Sequence, residues 1–184
     1  MKDNSQHLDG RAFGLAEWAR ATFSNAGIPE SAVLVPVSDD ASFRRYFRFN
    51  QGGAGLVFVD APPAKEDNQS FVKISSVLCE AGLNCPEVKG CDYSLGYLAV
   101  TDLGDRLYLD ELIDNPSAMP SLYEDAIRAI LKFLPITCEL PPYDEQKFKT
   151  ELGLFDEWFL EGQLKLKVNS AVAQMLEGVY ECLV

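Results

Sequence analysis

Residues 39–63 read DDASFRRYFRFNQGGAGLVFVDAPP. Aromatic and basic residues fill Phe43 to Phe49, Gln51 to Gly55 supply a glycine-rich turn, and the apolar run Leu56 to Asp60 is stopped by Pro62 and Pro63. Two such runs around a glycine turn spell a β-hairpin. A hairpin alone buries too little to persist in water, so another element must cover its apolar face. Period-two alternation puts Arg44, Tyr46 and Arg48 on one face and Phe43, Arg45, Phe47 and Phe49 on the other. Arg45 is the one charge on an aromatic face and needs a partner there, either an acid of the protein or an anionic ligand.

The chain around the hairpin supplies the rest of the sheet. Asp9 or an earlier residue caps a leading helix in which Phe13, Leu15, Ala16, Trp18, Ala19, Thr22 and Phe23 recur near the 3.6 period, ending at Asn25 and Gly27. Ala32 to Val37 is a short strand that Pro36 pushes to a sheet edge. After the double proline, Asp67 or Asn68 caps a helix through Phe71, Ile74, Val77 and Leu78 to Gly82. Extended pieces follow at 84–88 and 90–93, then a strand from Leu95 to Asp102 that breaks at Gly104. This order predicts an α+β fold with a five-stranded, mostly antiparallel sheet and one helix packed on it.

Beyond Gly104 the pattern turns helical. Leu107 to Ile113 is a short helix, and Ser121 to Leu134 carries Leu122, Ala126, Ile127, Ile130, Leu131 and Leu134 on one stripe. Pro135, Pro141 and Pro142 punctuate a loop, Phe148 to Leu160 resumes the helical period, and Ser170 to Leu183 forms a last amphipathic stretch. The expected division is a sheet lobe over 1–103 and a hinge with a helical lobe over 104–184.

Composition narrows the partners. The 184 residues carry 16 Lys and Arg against 28 Asp and Glu, a formal net charge of -12, which disfavours nucleic-acid backbones and anionic membranes. The five cysteines, Cys79, Cys85, Cys91, Cys138 and Cys182, form no C-x-x-C pair, which argues for free thiols over a metal site. The start MKDNSQHLDG has no apolar core of a signal peptide, and no run approaches the roughly 20 apolar residues of a membrane span. A cytoplasmic protein is expected.

Four segments in order, ASFRRYFRF, VDAPPAKED, TDLGD and ELGLFDEWFL, resemble motifs of the aminoglycoside phosphotransferase family, whose fold is protein-kinase-like. Within that family they are most similar to bacterial kinases that phosphorylate N-acetylmuramate and N-acetylglucosamine at C1 in cell-wall recycling. The resemblance runs from about Trp18 to Leu160. It implies ATP and magnesium as cofactors and an amino sugar as substrate. The turn at Asp40, Ala41, Ser42 and Phe43 would then lie over the nucleotide phosphates, where small residues let backbone N–H groups approach anionic oxygens. Without glycines it departs from the G-x-G-x-x-G of protein kinases, and by its own residues it is equally a hairpin corner.

The same resemblance puts Arg45 or Lys65 forward as the phosphate clamp, because the third strand has Val59 or Asp60 where protein kinases carry a lysine. Thr101, Asp102, Leu103 and Gly104 correspond to the hinge that meets the adenine edge; alone, they are a strand ending in a turn. Glu157 and Trp158, with Glu151, sit on a helix where a carboxylate and an indole face suit a sugar, although a tryptophan on a helical stripe more often packs into a core.

Phosphoryl transfer in this fold also needs an aspartate for the acceptor hydroxyl and an acid with an asparagine for magnesium. The single histidine is His7, and no aspartate follows Asp156. No catalytic or metal-ligating residue is therefore nominated, and the sequence reads as the amino-terminal part of such a kinase, truncated before the catalytic loop and inactive alone. The rival expectations are a non-catalytic module that binds a nucleotide or a partner, and an α+β domain without a ligand.

Overall fold

The computed structural model describes residues 9–37, 43–53, 55–140 and 142–183. The chain divides into two compact units, Met1–Cys138 and Glu139–Val184. Ala41, Ser42 and the neighbouring Asp40 lie outside the described residues, as does His7.

Five strands of the first unit, β1 (Leu34–Pro36), β2 (Arg45–Phe49), β3 (Leu56–Asp60), β4 (Val88–Asp92) and β5 (Tyr97–Thr101), pair antiparallel in the order β1-β2-β3-β5-β4. This is the α+β class and the sheet that the sequence predicts. β1 is the edge strand, with Pro36 opposite Phe47, so the missing proline N–H costs the sheet interior nothing. The hairpin register sets Arg45 opposite Asp60 and Phe47 opposite Phe58.

A helix covers each face. α1 (Gly10–Thr22) packs Ala12, Leu15, Ala16 and Ala19 against Leu34, Phe47, Phe49, Phe58 and Tyr97, all buried. These four helix residues follow i, i+3, i+4, i+7, and three of them are alanines, which lets the helix approach the sheet closely. Phe13, 63% exposed, and Thr22, also exposed, fall off that stripe, so the buried face is narrower than the period predicts. Trp18 and Phe23 seal the rim with an edge-on ring contact at 5.8 Å. On the other face α2 (Asn68–Glu80), capped by the Asp67 carboxylate on Ser70 N at 3.0 Å, packs Phe71 and Val72 on Val57, Val59, Leu98 and Val100.

α3 (Tyr108–Asp114) and α4 (Met119–Phe133) complete this unit. The α4 stripe forms as a pattern but is not a core contact in this chain: Ile127, Ile130 and Leu131 are exposed. The second unit holds α5 (Glu145–Leu154), a π-helical segment Phe155–Gln163 and α6 (Ser170–Leu183). Lys149 joins α5 to α6 through Glu177 at 3.2 Å, and Tyr180 donates to Asp156 at 2.6 Å. Burial and that carboxylate push the Tyr180 phenol up to about 12. No helix among the described residues is long and apolar enough to cross a membrane.

Candidate functional site

The hairpin register brings Arg45 and Asp60 together on the face that α1 covers. Asp60 is fully buried, and both of its oxygens are occupied. Arg45 donates to Oδ2 from Nε at 3.0 Å and Nη2 at 2.5 Å, while Arg11 of α1 donates to Oδ1 from Nε at 2.8 Å and Nη2 at 2.6 Å. Arg45 turns its remaining donors to Asp9, at 2.7 and 3.0 Å, and Asp9 also caps α1 by accepting from Ala12 N at 2.9 Å. Arg11 reaches the Leu95 carbonyl at 2.7 Å, and its guanidinium lies 5.3 Å from the Tyr97 ring centroid.

Two arginines and two aspartates thus form a closed array that ties α1 to β2, β3 and the turn before β5. Closure matters because an ionised carboxylate taken from water needs hydrogen bonds on both oxygens to offset its lost hydration. Arg45 accordingly has its partner within the protein, and Asp60 holds arginines instead of facing solvent. Val59, the other residue at the clamp position, is fully buried on the α2 face.

The opposite face of β2 builds a second array. Arg44 pairs with Glu66 at 3.1 Å and lies over the Phe71 ring at 4.5 Å. Arg48 grips both Asp102 oxygens, from Nε at 2.5 Å and Nη2 at 2.7 Å, and reaches Asp105 at 2.5 Å. Asp102 also accepts from Gly104 N at 2.8 Å, while its own N–H donates to Gly55 O at 2.8 Å. Thr101 exchanges hydrogen bonds with Glu87, its N–H donating at 3.0 Å and its hydroxyl accepting at 2.9 Å. The segment Thr101–Gly104 is therefore anchored to the sheet by side chains, with Leu103 more than half exposed.

Arg45 holds the Asp9 carboxyl below its ordinary value of 3.8, and Arg48 does the same for Asp102. A carboxylate whose folded pKa is depressed stabilises the fold above its unfolded value and loses that contribution as pH falls through the folded one. The urea midpoint should therefore drop as pH is lowered below about 4. Replacing both Asp9 and Asp102 with asparagine should make that acid limb shallower, with Asp67, Asp92 and Glu111, also held low, supplying the rest; an unchanged limb would show that neither pairing is kept in solution.

The nominated residues fall into separate groups. Asp60 pairs across β3–β5 with Tyr97, whereas Thr101 pairs with Leu56 at the other end of the same strands, about 13 Å away at the usual rise per residue. At the Asp60 end, Phe43 is exposed and the Lys65 ammonium lies 5.1 Å from its ring centroid. Lys65 also lines an open depression of about 410 Å³ with Pro63, Glu66, Asn68 and Tyr93. Glu157 and Trp158 lie in the second unit, on the π-helical segment. Trp158 is 68% exposed, and Leu154, Phe155 and Phe159 beside it are 45–49% exposed, so the apolar stripe of this segment is open to solvent.

Sequence reasoning missed Arg11 and Asp105. The signal for Arg11 was Asp60 itself, an acid closing an apolar strand with only one basic residue opposite. Among the described residues no group of three His, Cys, Asp or Glu side chains is placed to hold a metal ion.

Residues 33–183 match the phosphotransferase enzyme family, APH. The chain is similar to N-acetylmuramate/N-acetylglucosamine kinase of Pseudomonas aeruginosa, with 38% identity over 155 residues, 83% of this chain and 45% of that protein. The protein of the same name in Pseudomonas putida is 39% identical over 153 residues, covering 82% of this chain and 44% of the relative. That of Neisseria meningitidis serogroup B is 30% identical over 149 residues, 78% of this chain and 44% of the relative. The chain thus spans less than half the length of these relatives.

Proposed function

The chain belongs to the phosphotransferase enzyme family, and from that premise we propose that it forms the nucleotide-binding part and the beginning of the substrate lobe of a cytoplasmic, ATP-dependent amino-sugar kinase. The substrate class is N-acetylmuramate or N-acetylglucosamine, phosphorylated at C1. The observation that carries this reading is the likeness, over most of the chain, to proteins named for those sugars.

ATP, when bound, supplies the γ-phosphoryl group. The residues of this chain fit the nucleotide at its two ends. The N–H groups of Thr101, Asp102 and Gly104 already serve Glu87, Gly55 and the Asp102 carboxylate, which leaves Leu103 as the residue of this segment to meet the adenine edge. The phosphates are assigned to the opposite, Asp60 end of the β3–β5 pair, where Lys65 stands exposed. With Arg45 committed to Asp9 and Asp60, Lys65 is the better phosphate partner of the two nominated cations. Phe43 stands at the same end, its ring centroid 5.1 Å from the Lys65 ammonium. Glu157 and Trp158 offer the sugar an acceptor and an aromatic face. The described residues do not fit magnesium, so no step is assigned to the ion.

Lys65→Ala should weaken ATP binding about tenfold, the worth of one charge-assisted contact to phosphate, and leave the urea midpoint unchanged because the side chain is exposed. Unchanged ATP affinity would exclude Lys65 as the clamp. With no aspartate after Asp156 in these 184 residues, incubation with ATP, magnesium and either sugar should yield no sugar phosphate. The rival reading is a binding module without catalysis. Titrating N-acetylglucosamine against the fluorescence of Trp158 separates the two: a response lost in Trp158→Phe supports the substrate lobe, and no response favours the module.

A further inference from the structure

The helix α2 ends on the sequence VLCEAGLNCPEV, residues 77–88, and the way it ends brings two thiols together. Gly82 takes a left-handed conformation with φ +76, its N–H donating to Cys79 O at 2.9 Å and that of Leu83 to Leu78 O at 3.1 Å. This paired closure reverses the chain sharply after the last helical turn. Cys85 returns alongside Cys79, and the two sulfurs approach to 2.9 Å. The return strand is held there by Ser75, whose hydroxyl donates to Pro86 O at 2.6 Å. Cys85 lies 3.8 Å from the Ser75 carbonyl, and Cys79 lies the same distance from the Cys85 carbonyl.

Both thiols are partly exposed, and Cys79 lines an open depression of about 450 Å³ shared with Val72, Ser76, Glu80 and Glu87. A disulfide needs the sulfurs at about 2.05 Å, a shift that side-chain rotation can supply when the backbone already holds the pair together. We propose that Cys79 and Cys85 form a redox-active dithiol, a modification site at which a small disulfide oxidises the pair to an intrachain bond. The proposal is independent of the kinase reading.

The exchange runs in two steps. The Cys79 thiolate attacks one sulfur of the small disulfide, breaking its S–S bond and releasing one small thiol that takes up the Cys79 proton. Cys85 then attacks the Cys79 sulfur of the mixed disulfide, expelling the second small thiol, which takes the Cys85 proton. Two protein thiols are oxidised and one small disulfide is reduced to two thiols. Cys79 lines the open depression and Cys85 does not, which makes Cys79 the entering residue; burial and the neighbouring Cys79 push the Cys85 thiol up, so the second step quickens as pH rises. In a reducing compartment such a bond is transient and regulatory, closing the end of α2 onto the segment that enters β4.

The test uses the whole chain with cystamine, whose positive charge suits the flanking Glu80 and Glu87. The expected product is lighter by about 2 Da, the two hydrogens lost, and peptide mapping finds Cys79 joined to Cys85. Cys85→Ser should instead retain a stable cysteamine adduct on Cys79. Because closure is intramolecular, the mixed disulfide on wild-type Cys79 should resolve without accumulating, whereas adducts on Cys91 or Cys182 should persist. Wild-type protein that accumulates separate adducts on Cys79 and Cys85, or that leaves both unreacted while Cys91 is modified, would overturn the proposal.

Discussion

Asp60→Ala is expected to destabilise the sheet unit by roughly 2–4 kcal/mol, read as a fall in the urea midpoint, because it removes the one acid among the described residues that touches both Arg11 and Arg45. Four hydrogen bonds are lost at once, and two guanidinium groups are left side by side against Phe47 and Tyr97. The arginine side chains are each 39% exposed, so water relieves part of their charge and keeps the loss below that of a fully enclosed pair. Arg45→Ala should cost less, since Arg11 still satisfies one oxygen of Asp60. A triple replacement of Arg11, Arg45 and Asp60 by apolar residues of similar volume should recover much of the loss, because the charges offset one another's desolvation more than they add stability. An Asp60→Ala midpoint within about 0.5 kcal/mol of wild type would mean that the array is hydrated and carries no structural weight.

This array also shows where the sequence was legible and where it was not. The strands, the hairpin turn and the Asp67 cap follow from local periodicity, and the antiparallel order follows from short connections, so most of the sheet could be written down beforehand. Arg45 could be identified as needing a partner from its place among aromatics. Its partner could not be chosen, because Asp60 and Asp9 lie 15 and 36 residues away and the choice depends on register and on the placement of α1. Phe13 departs from its helix's buried face for a related reason: a stripe of period 3.6 includes flanking positions that a few tens of degrees of helical rotation remove. The α4 stripe was legible as a pattern, but a pattern does not say what covers it.

The second large effect is expected at Gly96, and it probes the same end of the sheet from the turn between β4 and β5. Gly96 has φ +72, and a Cβ there would sit 2.1 Å from the Ala61 carbonyl oxygen and 2.7 Å from Pro63 Cδ. Its own carbonyl accepts from Ala61 N at 2.8 Å, so the contact is a backbone-to-backbone seat that no rotamer can relieve. Gly96→Ala should therefore cost about 3 kcal/mol or more, combining left-handed strain of about 1 kcal/mol with forced separation of the two segments. Gly82→Ala is the control: its φ is also positive but open space surrounds it, so only the strain of about 1 kcal/mol should appear. The damage should spread along the chain. Leu95, next to Gly96, supplies the carbonyl that Arg11 grips, and Ala61 stands between Asp60 and the loop that carries Lys65. Gly96→Ala and Asp60→Ala should thus be less than additive in the double variant. Of the two glycine variants, only Gly96→Ala should also weaken ATP binding under conditions where the fold is still populated. Equal losses for the two would mean that the turn yields without moving Ala61.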